Sequence, residues 1–138
     1  MLATSDVIAF ASTRDLTRAR SFYGTALGLP LVHEDAYAAV FNAHGTMLRV
    51  TVVAEVAHPG YTVLGWRVTD ISETVARLAS LGVVFARFEG VEQDAQGVWT
   101  SPSGDRIAWF TDPDGNVLSL TEFQRNEFPS TVEANALA

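Results

Sequence analysis

The sequence contains no cysteine, which excludes disulfides, thiolate nucleophiles and thiolate metal ligands. This absence fits a cytoplasmic protein, and we expect that location. Basic residues are also scarce: nine Lys and Arg stand against 16 Asp and Glu, giving a net charge of −7. Because nucleic-acid binding relies on clustered Lys and Arg, we expect no nucleic-acid partner.

Long hydrophobic runs are missing as well. No stretch approaches the roughly 20 apolar residues that span a bilayer, and the N-terminal MLATSDVIAF has neither the basic start nor the apolar stretch of a signal peptide. We therefore expect no membrane partner. What the 138 residues do contain is 48% hydrophobic residues and 18% charged ones, which predicts a soluble globular domain with a sizeable core.

One pattern occurs twice along the chain. Asp15 stands at a helix N-cap position, is followed by apolar residues at helical spacing, and the helix is predicted to end at Gly28. Asp70, 55 positions further on, has Glu73 at capping-box spacing and a similar apolar stripe that ends at Gly82. A strand precedes each aspartate. The sequence thus predicts a duplicated module, with the functional site between the copies.

Strands complete each copy. Residues 31–33, 37–41 and 46–53 alternate as strands do, with a His44-Gly45 turn; 106–111 and 116–121 flank the turn Asp112-Pro113-Asp114-Gly115. We predict one domain over 1–138, with module one at about 5–54, module two at about 61–123 and a polar tail at 124–138. A polar loop at 88–104 interrupts the second module, and we expect its Trp99 to cover the mouth of a cavity.

Two segments, ASTRDLTRARSFYGTALGLPLV and WFTDPDGNVLSLTEF, resemble the paired signatures of the vicinal oxygen chelate superfamily. This superfamily includes glyoxalase I, extradiol dioxygenases, fosfomycin resistance enzymes and bleomycin resistance proteins. The resemblance covers about residues 7–123. It implies an α+β fold of two βαβββ modules, forming a curved eight-stranded mixed sheet around a cavity. Many members are homodimers, so a second copy of the chain is the expected protein partner.

Metal-using members of the superfamily take one ligand from each of four strands. Counting from the two cap aspartates and from the two hairpin turns places Ile8, Arg49, Val63 and Ser119 at these positions. Apart from the weak hydroxyl donor of Ser119, none can bind a divalent metal, and a guanidinium repels one. The three histidines, His33, His44 and His58, fall at a strand end, a turn and a loop. We therefore expect no metal and no cofactor.

Alternation along the strands predicts which side chains line the cavity. The lining is mostly apolar with a few hydroxyls and two guanidinium groups, as is typical of a small-molecule site. With Trp99 from the loop, the predicted ligand-binding residues are Ile8, Phe10, Ser12, Met47, Arg49, Thr51, Val63, Arg67, Val117, Ser119 and Thr121; Gly65 shares their face. Trp66 is expected to face away from them, and core packing is the favoured role for Trp66 and Trp109.

Arg49 is the most informative of these residues. Its guanidinium requires a partner if it is buried, and the favoured partner is a carboxylate of the same chain, the alternative being an anionic ligand. The acidic net charge favours a cationic ligand, but the local residue is the better guide to ligand chemistry. No catalytic residue can be identified. The sequence favours a metal-free binding protein; a metal-dependent lyase, isomerase or dioxygenase is the alternative, and a structural or regulatory protein is the third.

Overall fold

The computed structural model describes residues 1–125 and residue 128. Within these residues the helices are α1 (Leu16–Arg20), which continues as a π-helical segment (Ser21–Ala26), and α2 (Ile71–Ser80). The strands are β1 (Ile8–Thr13), β2 (Leu31–Glu34), β3 (Ala38–Ala43), β4 (Thr46–Val52), β5 (Leu64–Arg67), β6 (Trp99–Thr100), β7 (Arg106–Thr111) and β8 (Val117–Glu122).

The eight strands form two four-stranded mixed sheets with the same topology. The first has the order β1-β4-β3-β2 and the second β5-β8-β7-β6. In each sheet the first strand is parallel to the last strand of its module, while the remaining pairs are antiparallel. The predicted α+β fold of two βαβββ modules is confirmed. The strands are divided between two sheets, whose edge strands β1 and β5 approach each other.

Both predicted helix starts are present. The side chain of Asp15 accepts a hydrogen bond from the Arg18 N–H at 3.1 Å, and that of Asp70 accepts one from the Glu73 N–H at 3.0 Å. These bonds satisfy N–H groups that have no partner within the helix. Gly28 has φ of 74° and follows the π-helical segment. The widening to π-helical geometry was not predicted, because a single π-helical turn is too short to change the apolar pattern of the whole helix.

The core runs continuously through both modules. Its largest fully buried side chains are Tyr23, Phe41, Phe110, Leu48, Ile71, Leu118 and Val50. The Phe110 ring lies 6.3 Å from that of Phe22 in the first module and 5.4 Å from that of Phe85 in the second. Burial of a large apolar side chain contributes about 1.5–3 kcal/mol, so these rings stabilise the contact between the modules as well as each module.

Polar contacts also join the modules. The Asp114 carboxylate, in the turn between β7 and β8, accepts hydrogen bonds from the Thr13 hydroxyl at 2.5 Å, from the Arg14 N–H at 2.9 Å and from the Arg18 guanidinium at 3.1 Å. The side chain of Asn116 donates to the Ser12 carbonyl at 2.8 Å. The Asp-Pro-Asp-Gly turn thus fixes the second module against the end of β1.

Trp99 begins the short strand β6 and pairs with Ile107 of β7, where the sequence predicts an irregular loop. A two-residue strand is too short to show alternation. Most of the tail predicted at 124–138 lies outside the described residues. Within residues 1–125, no helix has the length and apolar character needed to cross a membrane.

Candidate functional site

Each sheet packs one face against the core and leaves the other face open; we call these the open faces. On the first open face the strand register pairs Ile8 with Met47, Phe10 with Arg49, and Ser12 with Thr51. Neighbouring residues in register point to the same side of a sheet. The six residues predicted from β1 and β4 therefore lie together in three adjacent rows.

The second open face is built in the same way. Gly65 pairs with Ser119 and Arg67 with Thr121, while the Val63 N–H donates to the Val117 carbonyl at 2.9 Å. Trp99 reaches this face from β6, because it pairs with Ile107, which in turn pairs with Thr121. The structure thus groups the predicted residues into two sets, one on each sheet.

Several apolar side chains of these faces are exposed to solvent in the single chain. Ile8 is 46% exposed, Phe10 55%, Met47 43% and Val63 39%. Isolated exposed apolar residues are common, whereas adjacent ones mark a site of interaction. The enclosed cavity expected from the sequence is therefore open here, as an apolar surface that carries a few polar groups.

Arg49 has no internal carboxylate partner among the described residues. It is half-buried and lies in register between Phe10 of β1 and Val40 of β3. Its guanidinium forms no ion pair and no side-chain hydrogen bond within residues 1–125 and 128. The favoured interpretation of Arg49, pairing with a carboxylate of its own chain, is thus not supported, because the neighbouring strands place apolar side chains beside it.

Trp109 belongs to the second open face, which the sequence interpretation missed. It pairs with Ser119, and its ring centroid lies 6.2 Å from that of Trp99 and 5.4 Å from that of Phe88. Core packing, the role favoured for Trp109, is therefore wrong. Thr111 pairs with Val117 across the five residues 112–116, so counting outward from a four-residue turn at 112–115 would have paired Trp109 with Leu118 instead.

Trp66 lies on the opposite side of its sheet, as expected. Its ring stacks on Phe110 at 6.3 Å with an interplanar angle of 23°, and it packs against the core. Its neighbour Gly65 marks a close approach of β5 and β8, because a Cβ added there would lie 2.8 Å from the Ser119 hydroxyl oxygen. A glycine at this position leaves room for the Ser119 side chain on the open face.

The donor set at the four expected ligand positions does not fit a divalent metal. Ile8, Val63 and Arg49 offer no electron pair to a cation, and the Ser119 hydroxyl alone is a poor ligand. Among residues 1–125 and 128, no cluster of three or more His, Asp or Glu side chains has a metal-binding arrangement.

The three histidines lie in different segments and make different contacts. His33, on β2, lies 3.5 Å from Asp35; His44 occupies the turn between β3 and β4 with φ of 51°; and His58 Nε2 donates to the Asp114 carbonyl at 2.9 Å. The N–H groups of Tyr37 and then Ala38 hold the pKa of Asp35 below its usual value. These are turn and linker contacts, typical of structural residues.

The buried titratable groups form a closed network between the modules. The Tyr23 hydroxyl donates to Asp112 Oδ2 at 2.6 Å, and the Asn116 side chain donates to the same oxygen at 2.7 Å. Burial, followed by the charge of Asp112, raises the pKa of Tyr23 far above its usual value. Asp112 Oδ1 accepts two backbone N–H groups. Both carboxylate oxygens of Asp112 accept hydrogen bonds, and the Tyr23 hydroxyl keeps its proton. This network therefore stabilises the contact between the modules and offers no group for catalysis.

Comparison with solved structures finds the same fold in many proteins. A lactoylglutathione lyase from Agrobacterium tumefaciens is 20% identical, with 91% of this chain and 99% of that chain covered and a TM-score of 0.67. A genomically encoded fosfomycin resistance protein from Listeria monocytogenes is 15% identical, with 88% and 94% covered and a TM-score of 0.68. A glyoxalase family protein from Enterococcus faecalis is 23% identical, with 88% and 100% covered and a TM-score of 0.64.

At these identities the structural neighbours show the fold alone. A search of curated proteins found no match. The sequence model of the Glyoxalase/Bleomycin resistance protein/Dioxygenase superfamily, however, matches residues 6–120, which is most of the chain. The two βαβββ modules are consistent with that match. The chain therefore belongs to the Glyoxalase/Bleomycin resistance protein/Dioxygenase superfamily.

Proposed function

We propose that this protein binds a small molecule that carries an anionic group, that it does so without a metal ion, and that it acts as a homodimer. The observation that carries the proposal is Arg49. Arg49 is half-buried on an apolar sheet face, and its guanidinium has no carboxylate partner within residues 1–125 and 128.

A partly desolvated cation in such surroundings costs free energy unless an anion joins it. A guanidinium presents N–H donors in a planar fork that matches the two oxygens of a carboxylate or phosphate. Phe10, which is beside Arg49 and 55% exposed, would pack against the apolar part of the same ligand. The net charge of −7 favours cations in the encounter, but contacts at the site decide which ligand stays bound.

Binding without a metal is supported by the residues at the four expected ligand positions, which include two aliphatic side chains and one arginine. The superfamily itself contains bleomycin resistance proteins, and one structural neighbour is named a fosfomycin resistance protein. Both names refer to small molecules. They support a role in small-molecule binding and leave the ligand of this chain open.

A metal-dependent lyase, isomerase or dioxygenase is the second candidate. It is favoured by one structural neighbour, a protein named as a lactoylglutathione lyase. Metal analysis of protein purified without chelator separates the two candidates. We expect less than a stoichiometric amount of Ni, Zn, Fe or Mn per chain. One equivalent of any of them, lost together with an activity on treatment with chelator, would support the second candidate instead.

The test of the first candidate begins with native mass spectrometry of the purified protein, to find a co-purified small molecule. The molecule is then titrated into the wild type and into Arg49→Ala by calorimetry. Removing one partner of a desolvated charge pair costs about 2–5 kcal/mol, so we expect the affinity to fall by about 30-fold or more. Arg77→Ala, which changes an exposed arginine of α2, is the matched control. Equal affinities in Arg49→Ala and the wild type would remove Arg49 from the site.

A further inference from the structure

A pocket of about 540 Å³ lies at one end of the second sheet. It is lined by Arg67, Ser103, Asp105, Phe123, Arg125 and Phe128. Apart from Arg67, none of these residues belongs to the two open faces as predicted. The volume is within the range of about 300–1,000 Å³ that is usual for small-molecule sites.

Two guanidinium groups of this pocket have no carboxylate partner within the described residues. Arg67 donates to the Phe128 carbonyl, and neither Arg67 nor Arg125 forms an ion pair there. Asp105, the one carboxylate of the lining, accepts hydrogen bonds from neutral groups. Its Oδ1 accepts from the Gln124 N–H at 2.9 Å, and its Oδ2 accepts from the Ser103 hydroxyl at 3.2 Å.

The charges of the lining restrict the ligand. Two arginines and one aspartate leave a single net positive charge, in a protein whose total charge is −7. A carboxylate balances that charge and fits the planar fork of a guanidinium. A phosphate carrying close to two negative charges would exceed the balance and be repelled by Asp105. A monoanion is therefore favoured over a dianion.

The two phenylalanines indicate what the carboxylate is attached to. Phe123 follows β8 on the side of Ser119 and Thr121, and it is 51% exposed; Phe128 is 79% exposed. Aromatic rings left in water gain free energy when an apolar group covers them, and rings contact other rings well. A ligand with a carboxylate at one end and a flat apolar body would meet both the guanidinium groups and the rings.

We propose that this pocket is a second ligand site, specific for an aromatic or apolar monocarboxylate held by Arg67 and Arg125 between Phe123 and Phe128. The site does not depend on Arg49, so it can exist whether or not the function proposed above is correct. Arg67 belongs both to this pocket and to the ligand-binding residues that strand alternation predicts.

The test uses phenylacetate as the probe, titrated into Arg49→Ala protein so that the first open face lacks its guanidinium. We expect binding, with amide NMR shifts at Gly104 and Phe123. Arg125→Gln and Arg67→Gln, each added to this background, are expected to weaken binding by about tenfold or more, equivalent to about 1.4 kcal/mol. Arg77→Gln, an exposed arginine outside the pocket, is expected to change nothing.

Two further probes test the chemistry. Neutral phenylacetamide should bind about tenfold or more weakly, and phenyl phosphate should bind no more tightly than phenylacetate. Glu127 lies outside the described residues, and Glu127→Gln should leave the affinity unchanged. The proposal is overturned if phenylacetate does not bind, if phenylacetamide binds equally well, or if phenyl phosphate binds more tightly. It is also overturned if neither arginine substitution changes the affinity for phenylacetate, or if phenylacetate binds only to Glu127→Gln.

Discussion

At the scale of single residues, the contact of Tyr23 with Asp112 shows how one hydrogen bond serves two modules. Tyr23 lies in the π-helical segment of the first module, and Asp112 lies in the turn after β7 of the second. The tyrosine is fully buried and the aspartate nearly so. A hydrogen bond to a charged group contributes about 1.5–3 kcal/mol, which is a large part of the stability of a small domain.

This contact predicts a specific response to alkaline pH. Tyrosine in an unfolded chain loses its proton near pH 10, whereas burial and Asp112 raise the pKa of Tyr23 in the folded protein well above that value. The unfolded state therefore binds fewer protons than the folded state above about pH 10, and stability falls there by up to about 1.4 kcal/mol per pH unit. Below that pH the contribution of Tyr23 is fully present.

Tyr23→Phe tests this origin of the pH dependence. The variant should be less stable than the wild type by about 1.5–3 kcal/mol at pH 7, because the hydrogen bond to Asp112 is lost. Above about pH 10 the difference should shrink, since phenylalanine has no proton to lose. Denaturant unfolding between pH 7 and 11 measures both curves. The chain has no lysine and no cysteine, so few other side chains titrate in this range. Parallel curves would contradict the assignment to Tyr23.

At the scale of helices and strands, much of the fold followed from local rules. The cap aspartates and the glycines that follow the helices were read directly from the sequence, and the β7–β8 turn fixed the second hairpin. What escaped prediction depended on contacts between distant segments. The strand β6 has two residues and exists because Trp99 and Thr100 pair with β7. Likewise, the π-helical segment widens where Tyr23 reaches the second module.

The cap of α2 allows a quantitative test at this scale. The Asp70 carboxylate accepts the Glu73 N–H at 3.0 Å, and its carbonyl accepts the Thr74 hydroxyl at 2.9 Å. Replacing a capping aspartate with alanine typically costs about 0.5–2 kcal/mol. We expect Asp70→Ala to lose about 1 kcal/mol in chemical denaturation. Asp70→Asn retains the oxygen acceptor and should lose only a few tenths of that. Equal losses in the two variants would show that this hydrogen bond is not the source of stability.

At the scale of the whole molecule, the sequence predicted which side chains share an open face but not which residues of neighbouring strands lie beside them. Alternation along β1, β4, β5 and β8 grouped side chains that share a sheet face, because the face on which a residue lies depends on its position along its own strand. Within the described residues, the absence of a carboxylate beside Arg49 depends on which strands are neighbours, and the pairing of Trp109 with Ser119 depends on the loop between β7 and β8. That information is in the topology of the sheets, which a single alternating strand does not reveal.

The open faces also bear on the predicted homodimer. Ile8, Phe10 and Met47 are adjacent on the first face and each more than 40% exposed. A second copy that covered them would remove apolar surface from water at about 25 cal/mol per Å². We expect light scattering on a sizing column to give a mass near twice 14.9 kDa. Phe10→Asp should shift the protein to monomer by placing a charge in the contact. Val84→Asp, at an apolar position that is 79% exposed outside both faces, should remain dimeric.

Combining this experiment with the Arg49 variant distinguishes two partners for the Arg49 guanidinium, a carboxylate of a second copy and an anionic ligand. If a carboxylate of the second copy pairs with Arg49, Arg49→Ala should dissociate the dimer as Phe10→Asp does, because an unpaired desolvated carboxylate would remain at the interface. If the anion belongs to a ligand, Arg49→Ala should stay dimeric and lose only the ligand. We expect the second result, since Arg49 is half-buried within a single chain and a ligand can still reach it. Dissociation of Arg49→Ala would transfer Arg49 from the ligand site to the dimer contact.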